Sequence, residues 1–248
     1  MLAVVVVARD EADRIGRCLS SVRWADERLV LVDERSRDGT ATEARRAGAT
    51  VLEEPWRGHA AQRNHGLSLV SAPWALHLDA DEWLTPDASA SLQAALEEPG
   101  DRLGFSFARC SRWRGRALRH GRWYPDRKVR AVRAGRGRWV GEIHEVLQVD
   151  GPVGALVGDI GHDPYRDVWE HLRTIDTYSG THARLMFEEG RRARAWDPPL
   201  HASLHLVDAL LRRQAWRDGP EGVAVAALGA WYAGLKWARL RALGKAAR

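Results

Sequence analysis

The first hundred residues alternate short apolar runs with segments whose apolar positions recur every three or four residues. This alternation restricts the fold more than any other feature of the chain. Leu2–Ala8, Leu29–Val32, Thr50–Glu53 and Trp74–Leu78 read as strands. Glu11–Arg23, with Ile15, Leu19 and Val22 on one face, Thr40–Ala47 and His59–Val70 read as helices between them. Strand–helix alternation with short connections predicts an α/β fold, a mostly parallel sheet covered on both faces by helices. In such sheets ligands bind beyond the carboxyl ends of the strands, and the acidic clusters of this chain fall at those ends. From Gly104 to Asp159 the pattern shifts to glycine-rich extended pieces, Gly104–Arg109, Lys128–Val132, Trp139–Val140, Val146–Val149 and Val153–Gly158, predicted as added antiparallel strands. After Pro164 the chain reads as helical, Val168–Glu189, then Leu200–Trp216 and Gly222–Leu243, with a break at Pro198-Pro199.

With 248 residues, 45% of them hydrophobic, the chain can bury a sizeable core. Its net charge of +5 is unevenly spread: residues 1–100 carry −6, 101–140 carry +11, 141–200 carry −5 and 201–248 carry +5. The cationic block is almost all arginine, the side chain best suited to bidentate contact with phosphate or carboxylate. Two cysteines, Cys18 and Cys110, fit neither a disulfide framework nor a zinc cage and point to a reducing compartment. The first apolar run lacks a preceding basic region and a cleavage site, so it reads as a strand rather than a signal peptide. The longest near-apolar stretch, Gly222–Leu235, falls short of the roughly 20 residues a spanning helix needs. A cytoplasmic body, peripheral at a membrane, is the expectation.

The sharpest local signal is Leu78-Asp79-Ala80-Asp81-Glu82 at the end of an apolar strand. Alternate side chains of an extended chain point the same way, so Asp79 and Asp81 would converge as a hard oxygen site for Mg²⁺ or Mn²⁺ on a diphosphate. In Val32-Asp33-Glu34-Arg35-Ser36-Arg37-Asp38-Gly39-Thr40, Asp33 ends a strand where a carboxylate can accept from a base or ribose, while Ser36 and Asp38 read as helix caps. Arg9-Asp10-Glu11 ends the first strand, and Glu11 suits either a ligand site or the first turn of a helix.

A strand ending in A-R-D-E, then V-D-x-x-S-x-D-G-T, then Gly58 with Ala61–Asn64, then L-D-A-D-E, resembles the inverting glycosyltransferases of family 2, which have the GT-A fold. His120–Arg130, Trp139–Glu145 and Arg217–Gly222 resemble the branch that adds glucose to the lipopolysaccharide inner core. The resemblance implies a nucleotide-sugar donor, UDP-glucose for that branch, an anionic glycolipid acceptor and a Mg²⁺ or Mn²⁺ cofactor. By the same resemblance Asp33 reads the nucleotide base, Arg9 and Glu11 line its pocket, Arg63 and Asn64 border the donor, Asp79 lies near ribose and metal, and Asp81 holds the metal. Glu34-Arg35 departs from the small residues usual after that aspartate, which would alter the pocket rim. Residues 1–165 would form the catalytic domain, 1–100 its donor half and 101–165 its acceptor half. Residues 166–248 would form a helical extension lying on a membrane or joining two subunits.

Inversion needs a base for the acceptor hydroxyl. Glu145, Asp126 and Glu142 are the candidates, with Glu145 preferred because the I-H-E motif ends on it. His144 and His162 are candidates for a third metal ligand. Trp216, Trp231, Tyr232 and Trp237 suit a membrane interface or packing of the last helices. A glycosyltransferase acting on a peptide or a lipid carrier is the alternative within the enzyme class, and two other rivals are weaker. A nucleotidyltransferase would need a glycine-rich basic loop after the first strand, where Arg9–Ala12 stands. A nucleic-acid-binding protein would use the cationic block with Trp113, Trp123 and Tyr124 but leaves Asp79 and Asp81 without a purpose.

Overall fold

A computed structural model describes residues 1–141 and 145–247. Its chain separates into two compact units, Met1–Arg109 with Asp126–His162, and Cys110–Pro125 with Asp163–Arg248. In the first unit four strands, β1 (Leu2–Ala8), β2 (Glu27–Asp33), β3 (Thr50–Glu54) and β4 (Trp74–Asp79), lie parallel in the order β3-β2-β1-β4. The sheet continues with β8 (Asp126–Arg133), β6 (Gly104–Trp113), β11 (Val153–His162) and β5 (Glu82–Leu84), where β8 runs antiparallel to β4 and β6, and β5 antiparallel to β11. β9 (Gly137–Val140) and β10 (Val146–Val149) form a separate hairpin ladder, and a two-residue strand β7 (Arg116–Ala117) pairs the end of β6. The fold class is thus the α/β sheet flanked by helices, with helices at the C-terminus, that the alternation predicts.

β1 is almost wholly buried because helices cover both faces, as its unbroken valine run requires. Its core partners include Ile15 and Leu19 of α1 (Ile15–Ser21), Val30 and Val32 of β2, and Leu76 and Leu78 of β4. The opposite face receives α3 (His59–Leu69), whose buried residues are Gln62, Arg63 and Gly66. Gly66 permits this approach: a Cβ there would lie 2.4 Å from Val5 Cγ1. α2 (Thr40–Arg46) follows β2, and α4 (Pro86–Glu97), which the periodicity did not reveal, is capped by Thr85, whose hydroxyl accepts from Ala88 N at 3.3 Å.

The second unit is built from α5 (Val168–Glu188), α6 (Asp197–Val207) and α7 (Gly219–Ala246), joined by a π-turn at Asp208–Arg212 and a 3₁₀ turn at Ala215–Asp218. The proline pair opens α6 rather than breaking a helix, since its first turn needs no intrahelical N–H. Small residues set the α6–α7 distance: a Cβ at Gly229 would sit 2.3 Å from His205 Nε2. Trp237 stacks on His201 with centroids 4.0 Å apart, and Tyr232 bonds His182. Trp216 and Trp231 stay exposed. Two of the four C-terminal aromatics therefore pack, and two face outward. No helix among the described residues is long and apolar enough to cross a membrane.

Candidate active site

The parallel register brings the ends of β1, β2 and β4 to one edge, since Ala8 pairs Val32 and Val7 pairs Asp79. Two loops there are stitched together. Asp10 N donates to Ser36 Oγ at 3.0 Å, Glu11 N to Thr40 Oγ1 at 2.8 Å, Ala12 N to Asp38 Oδ2 at 2.9 Å, and Arg37 N to Asp10 Oδ1 at 2.7 Å. Side-chain oxygens here satisfy backbone donors of the neighbouring loop, which an irregular chain at a sheet edge otherwise leaves orphaned. This corrects the helix-cap reading of Ser36: α2 has no side-chain cap bond, and Ser36 ties the loops. Asp38 does accept from Thr40 N at 2.9 Å, but its other oxygen holds Ala12. Glu11 precedes α1 by a turn instead of lying in its first turn, because the helix begins only at Ile15, and it faces Arg14 at 3.7 Å.

Asp33 is nearly fully buried, and Arg35 closes over it. Nε donates to Oδ1 at 3.0 Å and Nη2 to Oδ2 at 2.8 Å, and Arg9 Nη1 stands 3.6 Å from Oδ2. The Arg35 hydrogen bonds hold the Asp33 carboxyl below the usual carboxylate range. The departure at Glu34-Arg35 thus has a visible consequence. Both oxygens of the carboxylate expected to read a base are already engaged by a half-exposed guanidinium.

The strand containing Asp79 ends on it, and Ala80-Asp81 form a turn before β5. Asp79 and Asp81 therefore do not alternate on one extended strand as expected, and the two carboxylates meet different partners. Asp81 faces Arg14 at 3.7 Å and His162 Nε2 at 3.4 Å. Asp79 receives Arg63 Nη2 at 2.5 Å and Arg130 Nη2 at 3.0 Å.

From Asp79 the charges alternate outward in both directions. Arg63 also bonds Glu145, and Arg130 also donates to Glu82 at 2.6 Å. Arg109 then stands 3.4 Å from Glu82 and donates to Asp126 at 2.6 Å, with Lys128 at 3.1 Å from Asp126. The chain Glu145–Arg63–Asp79–Arg130–Glu82–Arg109–Asp126 interleaves four carboxylates with three guanidiniums. Glu82 is wholly buried and Arg130 nearly so, and charges at that depth persist only when paired. Burial pushes the Asp79 pKa up, but Arg130 and Arg63 outweigh it and hold the carboxyl well below its ordinary range. Burial likewise raises Asp126, and Arg109 and Lys128 more than offset it.

The structure therefore links the sequence-derived residues Arg63, Asp79, Asp126 and Glu145 through ion pairs. Arg9 and Asp33 form a neighbouring pair. Asn64 has a structural use: its amide donates to Trp139 O at 2.8 Å and accepts from Trp139 N at 2.9 Å, fixing β9. Glu142 and His144 lie outside the described residues. Sequence reasoning missed the connecting residues Glu82, Arg109, Arg130 and Arg14. A signal was present for Arg109, an isolated charge in the apolar strand pattern GFSFARC; Arg130 stands among other charges in DRKVRAV and gave none.

The sequence model of glycosyl transferase family 2 matches residues 3–144, more than half of the chain, and the chain belongs to that family. Its α/β sheet with flanking helices agrees with the GT-A architecture that the resemblance implied. The chain is 29% identical over 247 residues to the lipopolysaccharide core biosynthesis glycosyltransferase LpsC of Rhizobium meliloti (strain 1021), covering 96% of this chain and 91% of that protein. It is 32% identical over 92 residues, 37% of this chain and 32% of the relative, to an uncharacterized glycosyltransferase of Rickettsia felis. Among solved structures, the mannosyltransferase PcManGT from Pyrobaculum calidifontis, in complex with GDP-Man and Mn²⁺, aligns over 99% of this chain and 79% of its own at 19% identity and a TM-score of 0.49.

Proposed function

We propose that this glycosyltransferase inverts the anomeric centre of a hexose, glucose from UDP-glucose, as it moves the sugar onto a lipopolysaccharide core or a related anionic glycolipid. The acceptor class is supported by the likeness to LpsC along nearly the whole chain. The observation that carries the reading is one guanidinium, Arg63, that holds both Asp79 and Glu145. It joins the carboxylate assigned here to the donor side with the base candidate. In this reading residues 1–165 bind the donor and catalyse, and 166–248 present the enzyme to a cytoplasmic membrane face.

Asp79 and Asp81 supply hard oxygens, and His162 stands beside Asp81. Such oxygens are the kind Mg²⁺ or Mn²⁺ takes, but Arg63 and Arg130 hold both Asp79 oxygens and Arg14 faces Asp81, so an ion would have to displace these arginines. Among the described residues no three His, Cys, Asp or Glu side chains stand together, so two protein carboxylates would share the ion with diphosphate and water oxygens. When bound, the metal would supply electrostatic stabilisation of the leaving diphosphate. Asp33 and Arg9 would bind the nucleotide, with Arg35 displaced from Asp33 as the base enters. Glu145 would take the proton of the acceptor hydroxyl as its oxygen bonds the anomeric carbon and the bond to the diphosphate breaks. Both base candidates are held by arginines here, Glu145 by Arg63 and Asp126 by Arg109, and such bonds rearrange when substrate arrives. The nucleic-acid alternative has less support, because Arg109 and Arg130 of the cationic block are spent on internal carboxylates.

The test is turnover of a panel of nucleotide-sugars by the purified chain, with Mn²⁺ and with chelator. Metal-stimulated hydrolysis of UDP-glucose is expected. A different productive donor would correct the sugar, and inertness toward every donor would overturn the reading.

A further inference from the structure

α6 is unusual in having no buried residue although its sequence, DPPLHASLHLV, is rich in apolar side chains. One side packs on α7 through His201, Ala202 and His205. The opposite side faces outward. Trp196, Leu200, Leu204, Val207 and Leu211 are 57%, 46%, 56%, 53% and 71% exposed. Their spacing of three or four residues puts all five on one stripe. Only Ser203 interrupts it. A soluble helix normally shows the reverse pattern, with its polar face outward, and a stripe of this length is larger than scattered surface residues produce.

The ends of the stripe are cationic. Arg191, Arg192 and Arg194 precede Trp196, and Arg212 and Arg217 follow Leu211, all of them exposed. Arg194 lies over the Trp196 ring, 5.4 Å from its centroid. Between Arg191 and Arg217 only Asp197 and Asp208 are acidic. An apolar stripe with arginines at both ends matches a surface whose headgroups are anionic and whose interior is hydrocarbon. A second protein copy would have to bring both apolar and acidic complements. An anionic bilayer has both by composition.

We propose that the outward face of α6 and of the π-turn that continues it, from Trp196 to Leu211, is a membrane-docking surface that inserts shallowly into an anionic lipid leaflet. This deepens the glycolipid reading above, since an acceptor anchored in that leaflet would be met by an enzyme already resting on it, but docking does not require that the transfer chemistry be right.

The experiment uses the full chain, its Leu204→Glu/Leu211→Glu variant and a Trp196→Phe variant. Binding is measured by sedimentation with vesicles of phosphatidylcholine containing about one-third phosphatidylglycerol, and with phosphatidylcholine alone. Both substituted leucines are exposed, and circular dichroism and thermal unfolding check that the fold is kept. The native chain should bind the anionic vesicles with a blue-shifted tryptophan emission that Trp196→Phe diminishes. The double variant should bind at least about tenfold more weakly, with donor hydrolysis unchanged. Absence of binding by the native chain, or equal binding by the double variant, would overturn the proposal. So would a native dimer that the double variant dissociates without any lipid binding, which would make the face a subunit contact. Failure of donor hydrolysis alongside lipid binding would instead sink the transferase reading and leave the docking surface standing.

Discussion

The two units place their charged and apolar groups in opposite ways. In the first, valines and leucines fill the interior of the sheet, and charged side chains gather at the strand ends, several of them buried and held in alternating ion pairs. In the second, the interior is small and split into separate clusters around Trp113, Met186 and Ala209, while large apolar side chains remain on the outside. The contrast teaches where each unit's work is done. The first accepts the desolvation of charges to build a site, and the second leaves hydrophobic surface unburied where a lipid or another apolar partner can cover it.

Removing the centre of the row of ion pairs should have the largest effect. Arg130→Met leaves buried Glu82 and Asp79 short of a cation, and breaking such a pair costs roughly 3–5 kcal/mol. Chemical denaturation should show that loss, whereas the exposed Arg212→Met in the second unit should change stability by less than about 1 kcal/mol. Equal effects would erase the contrast between the units.

Glu145→Gln tests the site rather than the fold. It should lower kcat by about 10²–10⁴ with donor KM almost unchanged, and Asp126→Asn should do less. The reverse ranking in steady-state kinetics would move the base to Asp126.

Acid should loosen the second unit through one histidine. His171 is buried, accepts from Trp113 Nε1 at 3.2 Å and stacks on Tyr165 at 4.2 Å. Burial lowers its pKa from 6.5 to about 4. As pH falls below about 6.5 the unfolded chain binds the proton first, so stability is lost down to about pH 4, by on the order of 3 kcal/mol. His171→Phe should flatten this slope in pH-dependent unfolding. An unchanged slope would mean other groups set it.

The smallest effects concern the nucleotide rim. Asp33→Ala should raise donor KM about tenfold, the loss expected for one hydrogen bond to a charged group. Arg35→Ala should lower KM a few-fold by uncovering Asp33. If both variants raise KM, Arg35 contacts the donor directly rather than guarding the carboxylate.

Periodicity and punctuation determined much of this protein by themselves. The valine run of β1 dictates a buried parallel strand, and the strand ends locate Asp33 and Asp79, because those features depend on neighbouring residues alone. The extent of α1 and the existence of α4 were less legible, since a polar turn at Glu11–Arg14 and a short alanine-rich segment carry weak periodic signals. The partners of the site carboxylates were not legible at all. Arg63 reaches Glu145 across 82 residues, and Arg130 reaches Asp79 across 51. The sheet order, which lays β8 beside β4, decides that Arg130 turns inward to neutralise carboxylates instead of joining the cationic surface that the clustering of its block suggested. The same holds for α6: its sequence reads as helical without saying which side is covered, and the side on which α7 packs decides that Leu200 and Leu204 face out. Local pattern fixes which residues want burial, but the desolvation of charge and the covering of apolar surface are settled by contacts between segments far apart in the chain.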